Sequence, residues 1–231
     1  MNVTLVRHAT LLLESSLGRV LVDPMLGAAG TAPPIEDTPN QVPNPLVDLP
    51  MPAEDVVRDV DLCIVTHMHE DHFDEAAAQL LPRQLPIVTQ PGSADELTAL
   101  GFDNVSTTHP AIALTGGRHG TGEIADALAP VSGFVLDGVY VAGDTIWCDE
   151  VRAAIAQHSP RALIVNGSGA RFLTGDPIVM DAHDVRQARS ALAGPVVVVH
   201  LEAINHCVER RDVYRAIPGV IVPADGETIE L

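Results

Sequence analysis

Leu62-Cys63-Ile64-Val65-Thr66-His67-Met68-His69-Glu70-Asp71-His72 decides the reading of this chain: a short apolar run, then three imidazoles and a carboxylate within six residues. A run of that length and composition, bounded by polar residues, reads as a buried strand. Imidazole nitrogens and carboxylate oxygens are the donors that zinc, iron and manganese accept. Crowded onto one turn without a cation, the same groups would repel or desolvate one another. The cluster therefore reads as a metal site at a strand end.

Outward from this point the chain alternates strands and helices. On the amino-terminal side, Val3 to Val6, Leu11 to Leu13 and Arg19 to Val22 are short apolar runs separated by tight turns, the pattern of antiparallel strands. Residues 24 to 52 hold eight of the 18 prolines and little apolar periodicity, which predicts a long irregular loop; loops of that length are usually functional. We expect it to overhang the site. On the carboxyl-terminal side, strands are expected at Ile87 to Thr89, Gly133 to Leu136, Val139 to Val141, Leu163 to Val165 and Val196 to Val199. Helices are expected at Asp74 to Leu81, Ser93 to Leu100, Asp149 to Gln157 and Asp184 to Leu192.

Composition narrows the classes. A chain of 231 residues with 46% apolar and 3% aromatic residues builds its core from Val, Leu, Ile and Ala, which suits a sheet-rich α/β domain spanning 1–231. Subtracting 31 acids from 13 bases leaves −18, which repels phosphate backbones and anionic membranes, so neither nucleic acid nor membrane is an expected partner. The opening residues lack the basic and apolar regions of a signal peptide, and a cytoplasmic location is expected. Cys63, Cys148 and Cys207 are an odd number with no close pair and read as free thiols.

The run His67-x-His69-x-Asp71-His72 resembles the signature of the metallo-β-lactamase superfamily, without substitution, and the order of motifs from Val3 to Val222 extends the resemblance over nearly the whole chain. Within it the chain is similar to the small bacterial members related to ascorbate-phosphate lactonases and N-acyl-phosphatidylethanolamine phospholipases. The resemblance implies a four-layer αββα sandwich and two divalent metal ions, zinc first, with manganese or iron as alternatives. It implies that His67 and His69 hold one ion and Asp71 and His72 the other. It places a further ligand at His119, where glycines on both sides leave the backbone free to aim the ring; His109, beside Pro110, is the competitor. Asp144, in Gly143-Asp144-Thr145, would touch both ions, and His200 would complete the second site. Residue reading and resemblance agree on one point: His67, Asp144 and His200 each follow a short apolar strand, and ligand sites in α/β sheets gather at carboxyl ends. His206 is an alternative to His200.

The chemistry implied is hydrolysis: a metal-bridging hydroxide attacks an ester, lactone or phosphodiester of a small molecule, and Asp71 orients it and passes the proton to the leaving group. Trp147, Arg171, Asn205 and His206 are candidate substrate contacts. His8, His158 and His183 fit capping or solvation, with His8 also a supporting partner near Asp23 and a catalytic part for His206 or His183 left open. The stretch Asn166 to Met180 and the segment Leu201 to His206 depart from the lactonase pattern, so the reaction class transfers better than the substrate. Rival readings are an iron-dependent redox enzyme of the same fold and a metal-stabilised binding protein without turnover; a homo-oligomer is compatible with all three.

Overall fold

Successive side chains of a strand point to opposite faces, and the strand ahead of the histidine cluster uses both. Leu62 and Ile64 enter one core while Cys63 and Val65 enter another, so its sheet is covered on both sides. The computed structural model describes residues 1–128 and 130–231. Its strands, in chain order, are β1 (Asn2–Arg7), β2 (Thr10–Ser15), β3 (Gly18–Val22), β4 (Leu62–Val65), β5 (Ile87–Thr89), β6 (Val105–Ser106), β7 (Ala113–Gly116), β8 (Ser132–Leu136), β9 (Val139–Val141), β10 (Ala162–Asn166), β11 (Val196–Val199), β12 (Val220–Ile221) and β13 (Thr228–Glu230). The helices are α1 (Ala53–Val57), α2 (Glu75–Leu80), α3 (Pro91–Ala99), α4 (Gly122–Ala127), α5 (Asp149–His158), α6 (Ala182–Ala191) and α7 (Arg211–Arg215).

Two sheets result, ordered β13-β1-β2-β3-β4-β5-β6 and β12-β11-β10-β9-β8-β7. Each begins with antiparallel hairpins and continues as parallel strands: β3 to β6 in the first, β9 to β12 in the second. The inner faces meet in one core, where Leu5, Leu11, Val22 and Ile64 pack with Phe134, Val141, Ile164 and Val197. The outer face of the first sheet is sealed by Val56, Ala77, Leu97 and Phe102, on or beside α1 to α3. The outer face of the second is sealed by Val151, Val185, Ala188 and Tyr214 of α5 to α7. The expected αββα layering is therefore present. Among the described residues no helix is long and apolar enough to cross a membrane.

The expected strands and helices form within two residues of their expected ends, and α3 and α6 both start two residues early. α3 starts at Pro91, not Ser93, because a proline at the first helical position sacrifices an N–H that has no partner anyway. β7, which ends in glycine, and the short α1, α4, α7, β6, β12 and β13 lack a periodicity long enough to read from sequence. Residues 24–52 form no regular element beyond an isolated bridge between Ala32 and Asn44. They are pinned by a small core in which Met25 packs with Ile35, Val47, Ala203 and Ile204, and by Leu46 N–H donating to Ala203 O.

Candidate metal centre

Parallel strands end on the same side of a sheet, so the residues just after them converge. Here β3 is followed by Asp23, β4 by Thr66 and His67, β9 by the turn carrying Asp144, and β11 by His200, while β10 ends on Asn166. Several junctions bend sharply. His8, Asp23 and His200 have φ of 60°, 44° and 65°, a left-handed conformation that costs a non-glycine residue about 1–2 kcal/mol. Gly143 has φ 69°, and a Cβ added there would lie 3.2 Å from Ser132 O, so the turn that delivers Asp144 calls for glycine.

Among the described residues the converging atoms form three adjoining groups: His8, Asp71, His200 and His206 make one, and the other two hold the seven ligand candidates. The donor atoms of His67, His69 and His119 lie within 4.8 Å of one another, as do those of Asp71, His72, Asp144 and His200. Asp144 joins the two: its Oδ2 is 3.5 Å from His119 Nε2 and 3.9 Å from His67 Nε2, and its Oδ1 is 3.3 Å from His72 Nε2 and 3.5 Å from His200 Nε2. All seven ligand candidates read from the sequence are thus brought together. His109, the competitor, lies elsewhere, accepting a hydrogen bond from Ala111 N–H at its own turn.

Six of the seven are steadied by a group outside the ligand set, and His69 Nδ1 stands 2.9 Å from His67 Nε2. Asp23 accepts from Thr66 N–H and Thr66 Oγ1 and holds His72 Nδ1 at 2.8 Å. Thr66 Oγ1 is 3.0 Å from His67 Nδ1, and His119 Nδ1 donates to Ile178 O at 2.8 Å. Asn166 Nδ2 donates to Asp144 Oδ1 at 2.6 Å. Ser168 Oγ stands 3.3 Å from His200 Nδ1, and His8 Nε2 stands 3.1 Å from Asp71 Oδ2. Asp23, Asn166 and Ser168 were not singled out for this role; apart from Thr66-His67 adjacency, only strand order brings such partners together.

Burial opposes charge on every group here. It holds His67 well below its ordinary pKa, and His69 and His119 below theirs. For His72, burial is outweighed by Asp144, Asp71 and Asp23, which lift it well above. His200, also against burial, is pushed up to about 10 by Asp144 and Asp71. Burial would raise Asp71 and Asp144, but the surrounding imidazoles keep both carboxylates well below the usual range. Meanwhile His72 Nε2 and His200 Nε2 are buried without a hydrogen-bond partner. Buried ring nitrogens left unsatisfied beside two carboxylates are the arrangement that a divalent cation completes, so the donor set fits metal ions.

The centre opens onto a cavity of about 850 Å³, which His69, Asp71, His119 and His206 reach directly. His206 Nε2 is 3.6 Å from Asp71 Oδ2 and has no hydrogen-bond partner. The other three candidate substrate contacts lie off this wall. Trp147 packs on the outer helical layer, with the Arg152 guanidinium 5.1 Å over its ring. Arg171 turns back to donate to Gly169 O. Asn205 is fully occupied in gripping the proline-rich loop: its Oδ1 accepts from Ile35 N–H and Asn44 Nδ2, and its Nδ2 donates to Ile35 O, Thr38 Oγ1 and Asn40 O. His183 sits exposed at the start of α6. The loop itself does overhang the site, contributing Met25, Thr31, Ile35 and Asn44 to the cavity wall.

With this geometry in view, comparison with known proteins is direct. Residues 2–126 match the family described as the beta-lactamase superfamily domain. The chain is 33% identical to the UPF0173 protein YddR of Bacillus subtilis (strain 168), with 99% of each chain covered. The crystal structure of a possible metal-dependent hydrolase from Veillonella parvula DSM 2008 is similar with a TM-score of 0.92 at 32% identity, over 100% of this chain and 99% of that one. That of an isothiocyanate hydrolase from Delia radicum gut bacteria is similar with a TM-score of 0.91 at 30% identity, over the same shares. The family match over more than half the chain, the near full-length relative and the paired sheets together settle the kinship: this chain belongs to the beta-lactamase superfamily and has the metallo-β-lactamase fold.

Proposed function

We propose that the chain is a metal-dependent hydrolase with a dinuclear centre, in which His67, His69 and His119 hold one ion, Asp71, His72 and His200 the other, and Asp144 lies between them. The observation that carries this is the division of Asp144, one oxygen toward each imidazole group. Two divalent ions, zinc first, would acidify a water toward neutral pH and polarise the bond under attack. The protein's own part is orientation. Asp71, steadied by His8 at 3.1 Å, orients the attacking water and takes its proton for transfer to the leaving group. His206 lines the cavity, and its buried Nε2, which has no partner among the described residues, offers substrate a hydrogen bond once the ring turns toward it.

The bond cleaved belongs to a small molecule: an ester, lactone or phosphodiester, or an isothiocyanate, named for the similar enzyme from gut bacteria. Each presents an electrophilic centre to water. Elemental analysis of purified protein should find about two equivalents of zinc or manganese, lost together in Asp144→Asn because that side chain serves both groups. Two equivalents retained by Asp144→Asn would overturn the shared-ligand assignment. A wild-type preparation carrying iron alone would redirect the search to redox chemistry, and one carrying no metal after reconstitution would overturn the reading altogether.

A further inference from the structure

Charge in the cavity is one-sided. Its lining includes the buried or half-buried Met25, Ile35, Phe172 and Ile204 together with the acids Glu70, Asp74, Glu75 and Glu96, and no Lys or Arg lines it among the described residues. Arg7 lies behind the wall, fully buried, its Nη1 and Nη2 donating to the carbonyls of Val47, Met25 and Gly27 while its Nε has no partner among the described residues. Asp74 is occupied too, accepting from Gly27 N–H and Ala77 N–H. Glu70, Glu75 and Glu96 remain exposed, and none forms an ion pair among the described residues. Beyond the metal centre itself the wall offers an anion no arginine or lysine among the described residues, and the N-terminus of α2 at the wall is already capped by Asp74. The wall presents acids on a chain of net charge −18.

Resting on the hydrolase reading above, we infer that the substrate is an uncharged, apolar electrophile and that Glu75 and Glu96 turn anionic compounds away. This ranks neutral esters, lactones and isothiocyanates ahead of phosphodiesters, whose charge only the metal ions would meet. A cation is the less fitting guest, because the glutamates are exposed to solvent whereas the buried and half-buried lining includes the hydrocarbon of Met25, Ile35, Phe172 and Ile204. The volume, about 850 Å³, falls within the range of small-molecule sites.

The test compares near-isosteric probes on the metal-loaded protein by calorimetry: benzyl methyl sulfone, benzylsulfonate and benzyltrimethylammonium. The sulfone should bind at least about tenfold more tightly than the sulfonate. In the double variant Glu75→Gln, Glu96→Gln the gap should close by about threefold, and added salt should narrow it in wild type, since unit charges near a wet surface interact weakly and are screened. Equal or tighter binding of the sulfonate, tighter binding of the ammonium compound, or a gap the double variant leaves unchanged would overturn the inference. In parallel, turnover of phenyl isothiocyanate and 4-isothiocyanatobenzoate is followed with and without metal. Absence of metal-dependent turnover of both, and of a neutral ester and lactone, counts against the hydrolase reading, while the binding gap still decides the charge selectivity by itself.

Discussion

Replacing Asn205 with alanine should unlatch the proline-rich loop, and the structure fixes the size of the effect. The amide offers two donor hydrogens and two acceptor positions to the loop, and all are engaged by Ile35, Thr38, Asn40 and Asn44 at 2.6–3.0 Å. At about 1 kcal/mol net per hydrogen bond, four bonds amount to about 4 kcal/mol. For a chain of 231 residues that corresponds to a melting temperature lower by about 8–16 °C. The loop is on the surface and is able to leave without the sheets, so the assay pairs thermal melting with limited proteolysis of residues 24–52. Either a drop of that size or rapid cleavage within the loop is the expected result. Coupling is checkable too: Asn44 Nδ2 donates to Asn205 Oδ1 at 2.8 Å, a bond that Asn205→Ala and Asn44→Ala each remove, so the double variant should fall short of additivity by about 1 kcal/mol. A variant melting within about 2 °C of wild type, with the loop still resistant, would refute the clamp and return Asn205 to the substrate-binding role its sequence position invites.

Three further outcomes follow from the site and its frame. His8→Phe keeps a ring in a fully buried position but removes the contact to Asp71 Oδ2 at 3.1 Å; metal affinity measured by competition with a chromophoric chelator should fall about 10–100-fold, and an unchanged affinity would rule out a supporting role. In chelator-stripped protein, His8, His67, His69 and His119 are held below 6.5 by burial, so unfolding takes up protons there and stability falls on acidification, further so as Asp71 and Asp144 protonate. His72 and His200 are raised above 6.5, His200 to about 10. Their contribution is complete below 6.5 and is lost as pH rises above it, for His200 toward 10, at up to about 1.4 kcal/mol per pH unit each. Urea midpoints should therefore peak near pH 6.5, and a peak above pH 8 would contradict these directions. Gly133→Ala places a Cβ 2.5 Å from Val141 O and 2.7 Å from Ala142 O, backbone that has no room to yield; a loss of about 2–3 kcal/mol is expected, read as a lower urea midpoint.

How much was legible depended on where each signal lay along the chain. His67, His69, Asp71 and His72 announce themselves because one turn holds them all. Strands such as Val196–Val199 are legible because a continuous β-branched run buried on both faces has little else to become. His119 and Asp144 needed the resemblance, since a histidine among glycines and a Gly-Asp-Thr turn are commonplace alone. Asp23 and Asn166 were out of reach as supports: Asp23 meets His72 only because β3 lies beside β4, and Asn166 meets Asp144 only because β10 lies beside β9. Trp147 and Asn205 were misplaced by the opposite error, in which closeness to a ligand along the chain stood in for closeness in space.

The backbone at the strand ends explains why closeness in sequence misleads here. A strand that simply ran on would carry its next side chains alternately up and down, away from a common point. At His8, Asp23 and His200 the chain instead turns through left-handed φ values, and each junction is tied to a neighbour: Asp23 N–H donates to Ile64 O, and His200 N–H donates to His8 O. A local conformation costing about 1–2 kcal/mol at each of these residues persists only where surrounding structure over-determines it. The hydrogen bonds that do so cross from β3 to β4 and from β1 in one sheet to β11 in the other. The centre is therefore a property of the paired sheets, and any lesion that shifts their register, such as crowding at Gly133, should loosen metal binding without touching a ligand.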